Sequence, residues 1–265
     1  MLWLRLWLAI GLHLDDTQWV YSPSSPTGYA LFDLDQTIVP WDTQLLFCNF
    51  VLKRQRLRTI YLLGFIPFSP FAKFLGPETM KRVFLNYLAG MDAEVLDQYA
   101  REFVDELVPD GLYSEVVEII EKHKADGLLT ILNSASPEIW VKYLSEKLGF
   151  DHYYGTQVVI NKRVTLFPDI EGMNNKGEVK IGRMRQHFPD DWIEGAILPN
   201  SFGYSDSHAD LPMLMLCERN VMVHPTAKLR ANGEKFGWLE MNPVRPTQSK
   251  WEFAVACAKQ AVGLY

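Results

Sequence analysis

Apolar and polar positions along this chain follow two different periods. A short apolar run over 29–32 ends at Asp33, the pattern of a strand buried on both faces. Apolar runs over 128–132, 196–204 and 221–223 predict three more strands. Between the first two strands the period changes. Over 42–123 the pattern is mostly helical, as where Val95, Leu96, Tyr99, Phe103 and Leu107 recur at helical spacing while Asp92, Glu94, Asp97, Glu102 and Asp105 fall elsewhere. After the second strand, Ser136 reads as a helix N-cap and Pro137 as the first helical residue. Ile139, Trp140, Tyr143, Leu144 and Leu148 form that helix's buried face, and Gly149 stops it. The segments 157–160 and 163–167, flanking Asn161-Lys162, predict a hairpin, and 178–188 and 211–216 predict helices. Strands alternating with helices indicate an α/β fold with a mostly parallel sheet. The helical run after the first strand breaks the alternation and is expected to be a cap inserted over the C-terminal ends of the strands. The expected division is an N-terminal extension and linker over 1–28, a core over 29–41 and 124–265, and a helical cap over 42–123.

Composition narrows the class. With 265 residues, 48% hydrophobic and 13% aromatic, the chain is not a long disordered protein. A net charge of −6 excludes a broad basic surface for nucleic acid. Cys48, Cys217 and Cys257 are far apart, which excludes a disulfide framework or cysteine zinc site and fits a reducing, cytoplasmic setting. The first 14 residues are apolar apart from Arg5 and two others, and lead through Asp15 and Asp16 into a Ser/Pro-rich stretch. An amphipathic anchor, an uncleaved extension and a start of translation assigned too early all remain open for them. A second apolar stretch, 59–72, contains Pro67 and Pro70 and follows Lys53, Arg54, Arg56 and Arg58. It is too short to span a bilayer and reads either as a packed cap helix or as an element lying on the cytoplasmic membrane surface.

The chemistry gathers at the strand ends. Asp33 and Asp35 directly follow the first strand, where a turning chain lets both carboxylates meet one ligand. One can attack phosphorus and the other can move the protons. Two acids beside a phosphate crowd negative charge, so the pattern calls for Mg²⁺. Asp206 and Asp210 follow another strand, at the end where open α/β sheets bind ligands. Ser134 follows the second strand and can hold a phosphate. Lys176 and Lys180 both sit near a predicted helix start, where a lysine can neutralise phosphate and carboxylate.

The ordered set Asp33/Asp35/Thr37, Ser134, Lys180 and Asp206/Asp210 resembles the haloacid dehalogenase superfamily, over about 29–241. The helical insertion makes it similar to the phosphoserine-phosphatase-like branch. That resemblance implies a Rossmann-like core with a helical cap, and a Mg²⁺-dependent phosphomonoester hydrolase working through an aspartyl-phosphate. It implies Asp33 as nucleophile, Asp35 as general acid/base, Ser134 and Thr37 at the phosphate loop, and Lys180 bridging phosphate and Asp33. Asp33, Asp35 (by its carbonyl), Asp206 and Asp210 would form the metal site. The run Gly177-Glu178-Val179-Lys180-Ile181 favours Lys180 over Lys176. Two departures stand out. Ala209 replaces the asparagine of phosphoserine phosphatases, and Gln36 replaces a small residue. For substrate, Asp42 and Arg82 are similar to the amine- and carboxylate-binding residues of phosphoserine phosphatases, which implies phosphoserine or histidinol phosphate. The competing implication comes from 50–75, which is similar to the cap of phosphatidylglycerophosphatase C. So apolar a cap favours a phospholipid phosphate such as phosphatidylglycerophosphate, with peripheral membrane contact. Phosphotransfer to an alcohol, and a non-catalytic phosphate-binding or membrane-scaffold protein, are the further alternatives.

Overall fold

The computed structural model describes residues 26–62 and 71–265. The expectations about the N-terminal segment, and most of those about the apolar stretch 59–72, lie outside the described residues.

Six strands form one parallel sheet: β1 (Tyr29–Phe32), β2 (Leu129–Pro137), β3 (His152–Thr156), β4 (Leu198–Ser205), β5 (Cys217–Val223) and β6 (Leu239–Met241). Their order is β3-β2-β1-β4-β5-β6, with β1 between β2 and β4. All four residues of β1 are buried, as a central parallel strand requires. The strand period of two then divides the core. Ala30 and Phe32 point to one face with Val116, Ile120, Trp140 and Leu144, while Tyr29 and Leu31 point to the other with Met184 and Met213. The result is an α/β sheet flanked by helices, the Rossmann-like architecture expected.

Among the described residues, five α-helices lie between β1 and β2: α1 (Thr43–Arg54), α2 (Thr59–Leu62), α3 (Ala72–Phe84), α4 (Ala93–Leu107) and α5 (Ser114–Ala125). α3 is interrupted at Gly76 (φ 77°), directly before Pro77. A proline there removes a helical donor and a positive φ breaks the helix, so the two turns on either side take different directions. We propose 42–123 as the cap, with α5 as the stem returning the chain to the sheet. His123 of α5 is buried and pairs with Tyr204 Oη of β4 at 2.8 Å.

The remaining helices are α6 (Glu138–Leu148), α7 (Glu178–Met184), α8 (Leu211–Leu214), α9 (Ala227–Phe236) and α10 (Lys250–Ala261). α6 buries Trp140, Tyr143, Leu144 and Leu148 as predicted, and ends on Gly149 in the left-handed conformation (φ 67°). Its start differs from expectation. β2 continues through Ser134 and Ser136, and Pro137 is the N-cap rather than the first helical residue. The predicted hairpin is also re-registered. Residues 157–159 pair with 169–171, whereas Arg163 and Val164 pair with Asp92 and Met91 of the cap. α10, which no sequence pattern marked, packs on α1, where Phe253 stacks on Trp41 at 5.3 Å.

Candidate active site

Three strand ends and one helix bring the candidate residues together. Asp33 leaves β1 while its N–H still donates to Tyr204 O of β4 (2.9 Å), so the sheet itself positions the carboxylate. Lys180, on the first turns of α7, is buried. Its Nζ donates to Asp33 Oδ1 and lies equally close to Asp210 Oδ1, both at 2.7 Å. Lys180 and not Lys176 therefore reaches the nucleophile candidate. Lys176 lines the cavity described below. Burial opposes the charge on Lys180, but Asp210 and Asp33 outweigh it and raise its pKa. Burial pushes the Asp33 carboxyl up to about 7; Lys180 opposes the shift, and Asp210 and Asp35 add to it. Burial and the neighbouring Asp33 likewise push Asp206 up to about 8.

Asp35 is gripped on both oxygens. Thr43 N–H donates to Oδ1 at 2.7 Å, while Ser136 Oγ (2.7 Å) and Ser134 Oγ (3.3 Å) donate to Oδ2. Behind Ser136 stands a chain of donors. Thr43 Oγ1 donates to Ser136 Oγ (3.0 Å) and accepts from Trp140 Nε1 (2.9 Å). Ser136 and Thr43 were missed at the sequence level. The signal available was a second serine two positions after Ser134, which strand periodicity places on the same face.

Thr37 is buried and accepts the Asp206 N–H (3.0 Å), tying the β1 loop to the β4 loop. Its hydroxyl thus joins the two loops. Asp210 is held by Ser205 Oγ (2.8 Å) and Lys180, so its oxygens orient other groups. Gln36 has φ 60°, the left-handed region that favours glycine.

An open cavity of about 480 Å³ leads to Asp35. Asp42, Gln44, Lys81, Ser136, Asn174 and Lys176 supply its polar lining, and Leu45, Pro77, Met80 and Phe84 an apolar wall. Asp42 therefore faces the site, although it also caps α1 by accepting the N–H groups of Gln44 (2.8 Å) and Leu45 (3.3 Å). Asp42 is solvent-exposed in this open cavity, and the charge of the nearby Asp35 raises its carboxyl. Arg82 does not line this cavity. Its guanidinium bonds the Pro168 and Phe167 carbonyls, both at 3.1 Å, and pairs with Asp169 at 2.6 Å. One residue is about 100° of helical rotation, so Lys81 takes the inward position instead.

Among the described residues no three acidic, histidine or cysteine side chains form a ready-made metal cluster. The donor chemistry nevertheless suits a hard cation. Among the described residues the one buried ammonium, Lys180, pairs with Asp33 and Asp210 only, and after burial it is the neighbouring aspartates that raise Asp33 and Asp206, a crowding of carboxylates that a divalent cation would relieve. Two carboxylates, a backbone carbonyl and substrate oxygens suffice for Mg²⁺, which keeps several waters.

The chain is similar to known proteins in sequence and in fold. The sequence profile of haloacid dehalogenase-like hydrolases matches residues 30–215. The phosphoserine phosphatase SerB1 of Mycobacterium tuberculosis is 26% identical over 227 residues, covering 82% of this chain and 71% of that protein. The histidinol-phosphatase of Neisseria meningitidis is 24% identical over 226 residues, covering 80% and 97%. A crystal structure of a Bordetella pertussis protein of unknown function superposes with a TM-score of 0.66 at 25% identity, covering 80% and 97%.

Proposed function

The chain belongs to the haloacid dehalogenase-like hydrolases and is a phosphoric monoester hydrolase; from that premise we propose that it cleaves a small amino phosphate through an aspartyl-phosphate at Asp33. Lys180 holds Asp33 Oδ1, which leaves Oδ2 to attack phosphorus. As that P–O bond forms, the ester P–O bond breaks and Asp35 gives its proton to the departing alkoxide. Asp35 then takes a proton from water, and the oxygen so activated displaces Asp33 and releases phosphate. Phosphatases of this family generally use Mg²⁺, which when bound would neutralise the phosphoryl oxygens. Asp33, Asp206 and the Asp35 carbonyl would hold it, while Asp210 orients Lys180. Ser134 and Ser136 keep Asp35 aimed.

The observation that carries the substrate class is that Asp42 and Asp35 line one cavity of about 480 Å³, a volume for a small ligand. Asp42 at the wall, an exposed carboxylate, suits a cationic amine. Lys176 suits a second anionic group, and the wall from Leu45 to Phe84 suits an apolar or ring portion. The relative named histidinol-phosphatase fits the amine and the ring portion, and the one named phosphoserine phosphatase fits the amine and the second anion.

A lipid phosphate is the second reading, and one surface favours it. Leu57 is 90% exposed and lines one open pocket with exposed Ile60 and the exposed cations Lys53 and Arg56. Near an anionic bilayer each such cation contributes about 1 kcal/mol. No described helix is long and apolar enough to cross a membrane. The test is Mg²⁺-dependent phosphate release from histidinol phosphate, phosphoserine and phosphatidylglycerophosphate in mixed micelles, with Asp33→Asn as blank. The expected result is at least about tenfold higher kcat/KM for an amino phosphate, some 1.4 kcal/mol in transition-state binding. Preference for the lipid would overturn the amino-phosphate reading. Turnover by Asp33→Asn at the wild-type rate would overturn the mechanism.

A further inference from the structure

Lys81 stands on the cap helix α3, but its ammonium leaves the cap. Nζ donates to Ala135 O, to Thr156 Oγ1 (3.1 Å) and to Asn174 Oδ1. An ammonium carries three N–H groups, and three acceptors engage them. Every acceptor is a neutral dipole, and among the described residues Lys81 forms no ion pair. Each belongs to the core around the candidate phosphate loop. Ala135 lies between Ser134 and Ser136, the two serines that grip Asp35. Thr156 ends β3. Asn174 precedes Asn175, whose side-chain amide donates to Ser134 O (2.8 Å) and Asn133 Oδ1 (2.7 Å). One helical turn before Lys81, Glu78 Oε1 accepts the Asn174 N–H at 2.9 Å. Positions three apart share a helix face, so this side of α3 grips the core twice.

We propose that Lys81 is a positioning residue. Supported by Glu78, it couples the seating of α3 to the placement of the 134–136 segment against Asp35. The inference rests on the hydrolase reading above. With its donors engaged, Lys81 leaves substrate charge to Asp42 and Lys176, and its effect reaches the reaction through Ser134 and Ser136. Seating α3 therefore does two things at once. It brings Pro77 and Met80 to the cavity wall, and it fixes the carbonyl between the serines that orient the acid/base.

The test compares wild type with Lys81→Met, Lys81→Gln and Lys81→Arg, using para-nitrophenyl phosphate with Mg²⁺. A positioning residue lowers kcat, so Lys81→Met is expected to lose about tenfold or more in kcat while KM moves less than about threefold. Lys81→Arg, which keeps the charge and donors, is expected to stay within about threefold of wild-type kcat. Hydrogen exchange read on the same proteins is expected to accelerate at 133–137 and 174–176 in Lys81→Met, with β1 and β5 unchanged. Should Lys81→Met not fold, Lys81→Gln carries the same two readouts. A raised KM at unchanged kcat would make Lys81 a substrate contact and overturn the proposal. So would wild-type kinetics, or unaltered exchange at 133–137 and 174–176. If the wild type hydrolyses no phosphate ester, the hydrolase reading falls, and the exchange comparison still decides whether Lys81 pins the segment.

Discussion

Ser136→Ala removes one bond from the candidate acid/base and leaves the buried Thr43 hydroxyl, which donates to Ser136 Oγ, without its acceptor. Asp35 Oδ2 accepts from Ser136 Oγ at 2.7 Å and from Ser134 Oγ at the longer 3.3 Å, and Thr43 N–H on Oδ1 is untouched by the change. A hydrogen bond to a charged group contributes about 1.5–3 kcal/mol. If all of that acts on the transition state, kcat falls by about 10–150-fold. The Ser136 N–H keeps its bond to Ser134 Oγ (2.9 Å), so the backbone should hold. Thr43→Val is the control. It removes the hydroxyl that donates to Ser136 but leaves the backbone donor on Asp35. It also leaves the buried Trp140 indole N–H without its acceptor, at a stability cost of about 1–3 kcal/mol. Each variant thus leaves one buried donor without its acceptor and should lose stability, and the two should separate in rate: Ser136→Ala, which takes a donor off Asp35, loses kcat, while Thr43→Val stays within about fivefold. The assay is single-turnover phosphate release at saturating substrate, paired with denaturant melts. A Ser136→Ala enzyme within about threefold of wild-type kcat would refute the reasoning, because Asp35 would then be aimed without that bond.

Magnesium should stabilise the folded chain. A ligand at a hundredfold excess over its dissociation constant adds about 2.7 kcal/mol, read as a rise in Tm on replacing chelator by Mg²⁺. Asp206→Asn should abolish that rise, and a wild-type Tm indifferent to Mg²⁺ would remove the metal assignment. Asp97 joins α4 to α6: its carboxylate accepts from Lys142 (2.7 Å) and from Tyr143, and both bonds hold its pKa down at about 2. The stability it contributes is therefore present above about pH 4 and lost as pH falls toward about 2. The side chain is 39% exposed, so Asp97→Asn should cost under about 1 kcal/mol at neutral pH, and its melts should converge on wild type near pH 2. Gln36→Gly relieves a left-handed φ of 60°, an offset of about 1 kcal/mol against glycine's greater unfolded freedom. The expected denaturant midpoint is equal to or above wild type, and a clear fall would show that the Gln36 side chain stabilises the loop.

What was legible in the sequence follows from distance along the chain. Asp33, Asp35, Asp206 and Asp210 each sit within a few residues of a strand whose apolar run is unmistakable, and parallel strands deliver their C-terminal ends to one edge. Lys180 could be chosen over Lys176 from its local pattern, and the 2.7 Å contact to Asp33 agrees with that choice. The cap offered no such frame. Its α3 is broken at Gly76 and Pro77, which resets the helical phase, so nothing in the run Lys81-Arg82 says which cation turns inward. The core decides it by offering three acceptors to Lys81, while the 167–169 segment captures Arg82. Ser136 was hidden for the opposite reason, because serine before proline is so good a helix start that the continuing strand went unseen. The strand ends thus carry the phosphate chemistry in local patterns. In the amino-phosphate reading proposed above, the choice of substrate rests on Asp42, Lys176 and the apolar wall, which meet only after α1, α3 and the 174–176 loop have packed. Re-phasing α3 would therefore move more than the cavity wall: rotating it by a single residue would exchange Lys81 for Arg82 and, through the coupling proposed above, release the 134–136 segment that aims Asp35.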